Sequence, residues 1–231
     1  MINPYGFYGG LNIEYFFLLL AIGLSMVAQF KVQSTFNRYL KQRSLSGLTG
    51  FETARRILDR NGLYNVQIEM VGGKLSDHYD PRSKVLRLSR DVYSGNSVAS
   101  IGVAAHEVGH AIQHAEAYAP LKIRNAIVPV VNFGSKSVFL LIMAGIVLQM
   151  SSLISLGVLA FMGIVIFQLV TLPVEFDASS RAIKNLKNGI ITAEEESSVK
   201  KVLGAAAMTY VTAALVSIAQ LVRLMGLSRR D

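Results

Sequence analysis

Residues 137–174 read SVFLLIMAGIVLQMSSLISLGVLAFMGIVIFQLVTLPV, a stretch without a single charged side chain. A helix needs about 20 apolar residues to cross the hydrocarbon core of a bilayer, so this stretch is long enough for almost two crossings. The polar segment Gln149–Ser152 stands near its middle, where a turn between antiparallel helices is expected. We therefore predict a transmembrane hairpin over residues 133–172, with spans at about Phe133–Leu148 and Leu153–Leu172.

The composition of the whole chain also indicates a membrane protein. Hydrophobic residues make up 52% of the 231 residues and charged residues only 16%, which is typical of chains that enter a bilayer. The absence of cysteine excludes disulfides and thiolate-bound metals, so histidine and carboxylates are the remaining strong metal ligands. The net charge is +8, but the basic residues stand beside apolar runs. This pattern favours lipid headgroups over nucleic acid as the partner.

Two further apolar runs stand at the ends of the chain. Residues 1–30 are predicted to form a retained anchor helix, because the apolar run that begins at Ile13 lacks the basic region that precedes a signal peptide core. Residues 202–231 are predicted to form an apolar helix with a basic tail. The chain therefore has three to four predicted spans, and whether the last helix fully crosses stays open.

Residues 31–132 have the composition of a soluble domain. The spacing of Thr49–Glu52 predicts a helix capping box, and residues 66–71 and 85–89 are predicted strands. Residues 98–117 have the apolar content and length of a helix. The predicted fold class is therefore mostly α, of the α+β type, with membrane helices and a small α/β domain.

The distribution of basic residues predicts the orientation in the membrane. Residues 31–43 and 122–136 are strongly basic, whereas the N-terminus and the turn at Gln149 carry no positive charge. Lys and Arg are enriched in cytoplasmic loops, so the soluble domain is expected in the cytoplasm. The C-terminal arginines oppose this rule if the last helix spans.

The residues 106–110, His-Glu-Val-Gly-His, form an HExxH motif on the predicted helix. Positions four apart lie on one face of a helix, so His106 and His110 can bind the same ion. Glu107 can face the open coordination position and accept a proton from water. We predict one Zn²⁺ ion at His106 and His110, with Glu107 as the general base.

A catalytic zinc also needs a third protein ligand. His114 lies two turns from His106, about 12 Å along the helix axis, and cannot complete the same site. The metzincin pattern requires a glycine and a histidine where this chain has Gln113 and Glu116. The third ligand is therefore expected on a separate helix.

Glu175 is the predicted third ligand. It opens the polar segment of residues 173–201, and two predicted spans separate it from His110, which returns the chain to the same side of the membrane. Asp177 is a candidate outer hydrogen-bond partner for a ligand imidazole. The alternative is that Glu175 merely favours a helix N-terminus through the helix dipole.

The segments His106–Gln113, Asp77–Pro81 and Pro173–Ala182 together resemble the YugP-like family of neutral zinc metallopeptidases, and the resemblance covers nearly the whole chain. This family is similar to the gluzincin group of HtpX-type and CAAX prenyl proteases. The resemblance implies a zincin-like domain, with a glutamate ligand that matches Glu175. The related proteases carry an aspartate four residues later, where this chain has Ser179.

The resemblance also implies a place for the substrate. In that group, a strand before the zinc helix forms an edge that holds an extended peptide. Residues 85–89 stand in the corresponding position, so Val85 and Arg87 are candidate substrate residues. His78 and Tyr79 are candidate donors to the oxyanion, although loop residues of this kind are often only structural.

The predicted function is that of a metalloendopeptidase of a bacterial plasma membrane that hydrolyses peptides, unfolded proteins or membrane proteins. The alternative is a membrane scaffold with a structural zinc, which would fill all four coordination positions with protein ligands. A site-2 type intramembrane protease is disfavoured, because the apolar stretch before His106 spans only about 14 residues.

Overall fold

The computed structural model describes residues 13–228 and confirms a mostly helical chain with one small mixed sheet. Its elements are α1 (Ile13–Leu40), α2 (Gly50–Arg60), β1 (Gln67–Val71), β2 (His78–Asp80), β3 (Val85–Ser89), α3 (Arg90–Tyr93), α4 (Val98–Ala115), α5 (Ala119–Val147), α6 (Ser151–Lys187) and α7 (Ala193–Ser228). Within this part of the chain, α1, α5, α6 and α7 are long and apolar enough to cross a membrane.

The chain divides into two compact units. The sheet unit comprises Ala28–Ala126 and Val170–Tyr210 and contains the sheet with α2, α3 and α4. The helical unit takes in the described residues of Met1–Val27, Ile127–Leu169 and Val211–Asp231. Both predicted strands and the HExxH helix therefore belong to the sheet unit.

The sheet has the strand order β1-β3-β2. β1 runs parallel to β3, and β2 runs antiparallel to it, with His78 opposite Arg87. Leu86 and Leu88 on one face of β3 are fully buried, and Val85 and Ser89 on the other face are buried as well, as expected for a strand covered on both faces. The sequence did not predict β2, because its three residues have neither apolar alternation nor β-branched side chains.

Two local signals place the helices that carry the sheet unit. The Thr49 hydroxyl accepts a hydrogen bond from the Glu52 amide at 3.2 Å, and the Glu52 carboxylate accepts one from the Thr49 amide at 2.8 Å, which confirms the capping box of α2. The Ser97 hydroxyl caps α4 by accepting from the Ser100 amide at 3.0 Å. α2 then packs its apolar face, including Ile57, against α4 in the core.

The hairpin helices are longer than predicted. α5 begins at Ala119 rather than near residue 133, and α6 continues through Pro173 to Lys187, where the sequence predicted a helix start. Proline removes one backbone hydrogen bond, but apolar surroundings preserve the remaining ones and keep the helix continuous. The connection falls between Val147 and Ser151, where the polar residues predicted a turn.

Candidate metal centre

α4 and α6 bring the three predicted metal ligands to one point. The Glu175 Oε2 atom lies 3.3 Å from His106 Nε2 and 3.6 Å from His110 Nε2. One ligand atom from each residue lies within 4.8 Å of the others. Glu175 is only 2% exposed, so this carboxylate is enclosed by protein.

The close approach of α4 and α6 depends on a glycine inside the motif. A Cβ atom at Gly109 would lie 2.6 Å from the carbonyl oxygen of Ala178, closer than real Cβ contacts. Ala105 and Ala182 are also buried small residues on these two helices. The small side chains therefore let the backbones of α4 and α6 come into contact next to the metal ligands.

The hydrogen bonds of Gln113 determine which nitrogen of His110 carries the proton. The Gln113 amide nitrogen donates to the Val174 carbonyl at 2.8 Å and to Asp177 Oδ2 at 2.7 Å. Its amide oxygen must then be the atom 3.0 Å from His110 Nδ1, so this imidazole nitrogen donates. In the neutral imidazole, which is the form that binds a metal, the Nε2 lone pair of His110 then faces Glu175.

This arrangement fits a metal ion. Glu175 Oε2 is buried and has no hydrogen-bond partner, and the lone pair of a neutral His110 faces it from Nε2 at 3.6 Å. A buried acceptor without a donor is costly, and a cation between the two lone pairs removes that cost. Two imidazole nitrogens and one carboxylate are the usual protein ligands of a catalytic zinc.

His106 has its own outer partner. The Ser179 hydroxyl lies 3.1 Å from His106 Nδ1, at the position where the related proteases carry an aspartate. Asp177 instead accepts hydrogen bonds from Gln113 and from Arg181, the latter at 2.6 Å. Asp177 therefore contacts the ligand His110 only through Gln113, and not directly as predicted.

Glu107 lines a cavity of about 240 Å³ that belongs entirely to the sheet unit. His106, Asp77 and Tyr210 line the same cavity. Asp77 accepts hydrogen bonds from the Ser89 amide at 2.7 Å and the Ser89 hydroxyl at 3.1 Å. Burial raises the pKa of Asp77, the two Ser89 hydrogen bonds oppose this rise, and the charge of Glu107 adds to it.

Two residues at this centre lay outside the sequence predictions. Arg124 Nη1 lies 3.8 Å from Glu175 Oε1, and Tyr210 lines the Glu107 cavity. Tyr210 stands in an apolar helix and Arg124 in a basic flank, where neither belongs to a recognisable motif. Only the tertiary structure brings Arg124 to the third ligand and Tyr210 to the cavity.

The prediction of a free peptide-binding edge at residues 85–89 is wrong. β3 is the central strand and has β1 on one side and β2 on the other, so its backbone is already paired. The side chain of Val85 is buried, and Arg87 is engaged with Glu69 at 3.1 Å and Asp80 at 3.4 Å. These contacts give Val85 and Arg87 structural roles in the sheet.

Tyr79 and His78 lie on β2 and are not among the described residues that line the Glu107 cavity. The Tyr79 hydroxyl is 2.9 Å from His114 Nδ1, and burial together with the charge of Asp80 raises the pKa of Tyr79. His78 is exposed, with Nδ1 2.8 Å from the carbonyl oxygen of Ser76. Tyr79 thus joins β2 to the end of α4.

Two histidines four residues apart, a glutamate from a second helix and a further glutamate beside the first histidine form a site typical of zinc metallopeptidases. The family described as "Putative neutral zinc metallopeptidase" matches residues 14–229, and the chain belongs to this family. The chain is also 54% identical over 219 residues to "Putative membrane protease YugP" of Bacillus subtilis (strain 168), covering 94% of this chain and 97% of that protein. No solved structure matches the chain.

Proposed function

We propose that this protein is a membrane zinc metalloendopeptidase of the gluzincin type, with its active site on the cytoplasmic side. The observation that carries the proposal is the buried group of His106, His110 and Glu175 beside a cavity lined by Glu107. The similarity to a membrane protease and the four apolar helices support the membrane location.

The chain's own residues have separate roles in the proposed reaction. His106, His110 and Glu175 would hold the zinc ion, which when bound would make a water molecule more acidic and would polarise the scissile carbonyl. The Glu107 carboxylate accepts a proton from the attacking water and passes it to the leaving amine. Tyr210 lines the same cavity as Glu107.

The proposed binding site for the peptide backbone is β2 and not β3. Among the strands that the structure describes, β2 pairs only with β3, so the other edge of His78–Asp80 is free. An extended peptide can add to such an edge through main-chain hydrogen bonds. The Tyr79–His114 contact fixes this edge relative to α4, which carries Glu107.

The number of ligands favours an enzyme over a structural zinc scaffold. Structural zinc sites usually have four protein ligands, whereas catalytic sites have three and an open position. Within residues 13–228, the group that could hold a metal contains three side chains. A fourth protein ligand found in a zinc-loaded structure would favour the scaffold.

Metal content and hydrolysis of casein, measured together on detergent-purified protein, test the proposal. Wild type is expected to bind one zinc per chain and to cleave casein. Glu175→Ala should lose both properties, whereas Glu107→Gln should keep zinc and lose cleavage. Glu194→Gln, at an exposed position at the start of α7, is the control and should match wild type. Full cleavage by zinc-loaded Glu107→Gln would exclude the proposed mechanism.

A further inference from the structure

We propose that the cavity beside Glu107 is the pocket for one large apolar side chain adjacent to the scissile bond, so that the enzyme selects peptides carrying an aliphatic or aromatic residue at that position. This inference rests on the proposed peptidase function and adds the substrate class. It derives from the lining of the cavity, the conformation of its rim and its size.

The polar part of the cavity lining includes two residues of the candidate reaction centre, His106 and Glu107, which are neighbours on α4. The other polar residues of the described lining are Asp77, Tyr210, Gln29 and Thr209. The apolar remainder of the described lining consists of seven residues.

The apolar remainder begins one helical turn from the polar group. Val103 precedes Glu107 by four positions on α4, and Ala206 precedes Tyr210 by four positions on α7. One turn corresponds to about 5.4 Å, which is comparable to the distance from a peptide bond to the far atoms of a neighbouring side chain. A residue next to a peptide bond held at Glu107 can therefore reach these apolar walls.

The floor of the cavity is apolar as well. Phe36 and Leu203 are each 3% exposed, and Val202 is 5% exposed. A charged or strongly polar side chain placed against these residues would lose its water without gaining a partner. An apolar side chain gains about 25 cal/mol for each Å² removed from water, so the floor selects for apolar residues.

The rim of the cavity contains a strained apolar residue. Leu75 has a φ of 54°, in the left-handed region that a leucine rarely adopts, and 40% of its surface is exposed. Such a conformation costs about 1–2 kcal/mol, so it persists only where its surroundings impose it. The Ser89 hydrogen bonds to Asp77 anchor the loop two residues later and keep Leu75 at the cavity.

The size of the cavity suits a single side chain. Apolar cavities of roughly 150 Å³ accept a benzene molecule, and this one has a volume of about 240 Å³. It therefore has room for a phenylalanine or leucine side chain, but not for a folded segment. The occupant is accordingly one residue of an extended peptide.

The test uses zinc-loaded, detergent-purified protein and a peptide series that differs at one position next to the scissile bond, with Phe, Leu, Ala or Asp there. Wild type is expected to cleave the Phe and Leu peptides at least tenfold more efficiently than the Ala and Asp peptides. Ala206→Leu fills the cavity and should lower kcat/KM for the Phe peptide about tenfold or more, while the Ala peptide changes less than about threefold.

Two further variants separate pocket filling from other effects. Gly204→Leu adds the same side chain to α7 at a position where a Cβ atom meets nothing within 4 Å, and it should keep the wild-type preference. Leu75→Asn, whose side chain tolerates the left-handed conformation, should weaken the preference for Phe without loss of zinc.

The outcomes distinguish the inference from the proposed function. The pocket inference is wrong if wild type cleaves all peptides without preference for apolar residues. It is also wrong if Ala206→Leu affects all peptides equally. Either result leaves the proposed peptidase function intact. Wild type that binds zinc but cleaves nothing, and so matches Glu107→Gln, overturns the proposed function together with the pocket that depends on it.

Discussion

At the scale of single residues, the orientation of the ligand imidazoles is the decisive feature. Gln113 stands three positions after His110 on α4, a spacing at which side chains meet, so the sequence contained a signal for this contact. The identity of its other partners, Val174 and Asp177, depends on how α6 packs against α4. Ser179 contacts His106 for the same reason.

We expect Gln113→Leu to lower the affinity for zinc about 10- to 100-fold, because His110 loses the acceptor that keeps its proton on Nδ1. Zinc affinity is measured by competition with a chelator on the purified protein, independently of activity. The control is Gln67→Leu, an exposed position on β1. An unchanged affinity in Gln113→Leu would show that the imidazole is oriented by packing alone.

At the scale of elements, the contact between α4 and α6 determines whether the ligands meet. The spacing of the two histidines follows from one helix and is local, but the distance to Glu175 depends on two helices that are more than 60 residues apart in sequence. Gly109 is a position of close approach, because a Cβ atom there would lie 2.6 Å from the Ala178 carbonyl oxygen. Any side chain there must separate the helices.

Gly109→Ala is expected to destabilise the sheet unit and to abolish zinc binding, since its Cβ would meet the backbone of Ala178 at 2.6 Å. Gly102→Ala is the matched control on the same helix, where a Cβ would be 3.5 Å from the nearest Val199 atom. This control should be neutral or stabilise by about 0.5–1 kcal/mol through helix propensity. Thermal unfolding and zinc content compare the two variants, and equal behaviour would contradict the close-contact argument.

At the scale of the whole molecule, the proposed metal links α4 to α6 and therefore couples binding to folding. A ligand present at 100 times its dissociation constant stabilises the folded state by about 2.7 kcal/mol. Removal of zinc by a chelator should lower the melting temperature of wild type and leave that of Glu175→Ala nearly unchanged. A melting temperature of wild type that is insensitive to zinc would count against a bound metal in the folded protein.

The orientation in the membrane is a second prediction at this scale. The chain has no cysteine, so single cysteines report their own accessibility. With the proposed topology, Ser197→Cys in the sheet unit should react with a membrane-impermeant maleimide only after the cells are opened. Ser151→Cys, at the start of α6, should react in intact cells. The reverse pattern would place the metal centre outside the cytoplasm.

The positions of the apolar helices and of the HExxH motif could be predicted because each depends on neighbouring residues. Length and hydropathy identify a span, and a spacing of four places His106 and His110 on one helical face. The family resemblance was confirmed, and the mostly helical fold class with it. These properties were determined by the sequence itself.

Only the tertiary structure decided the remaining features, since they arise from contacts between distant segments. The place of β3 at the centre of the sheet depends on β2, whose three residues lack a strand pattern. The position of Tyr210 in the Glu107 cavity and the apolar part of the cavity lining depend on the packing of α1, α4 and α7. Periodicity specifies which face of a segment is apolar, but the partner of that face is determined by the packing of the whole chain.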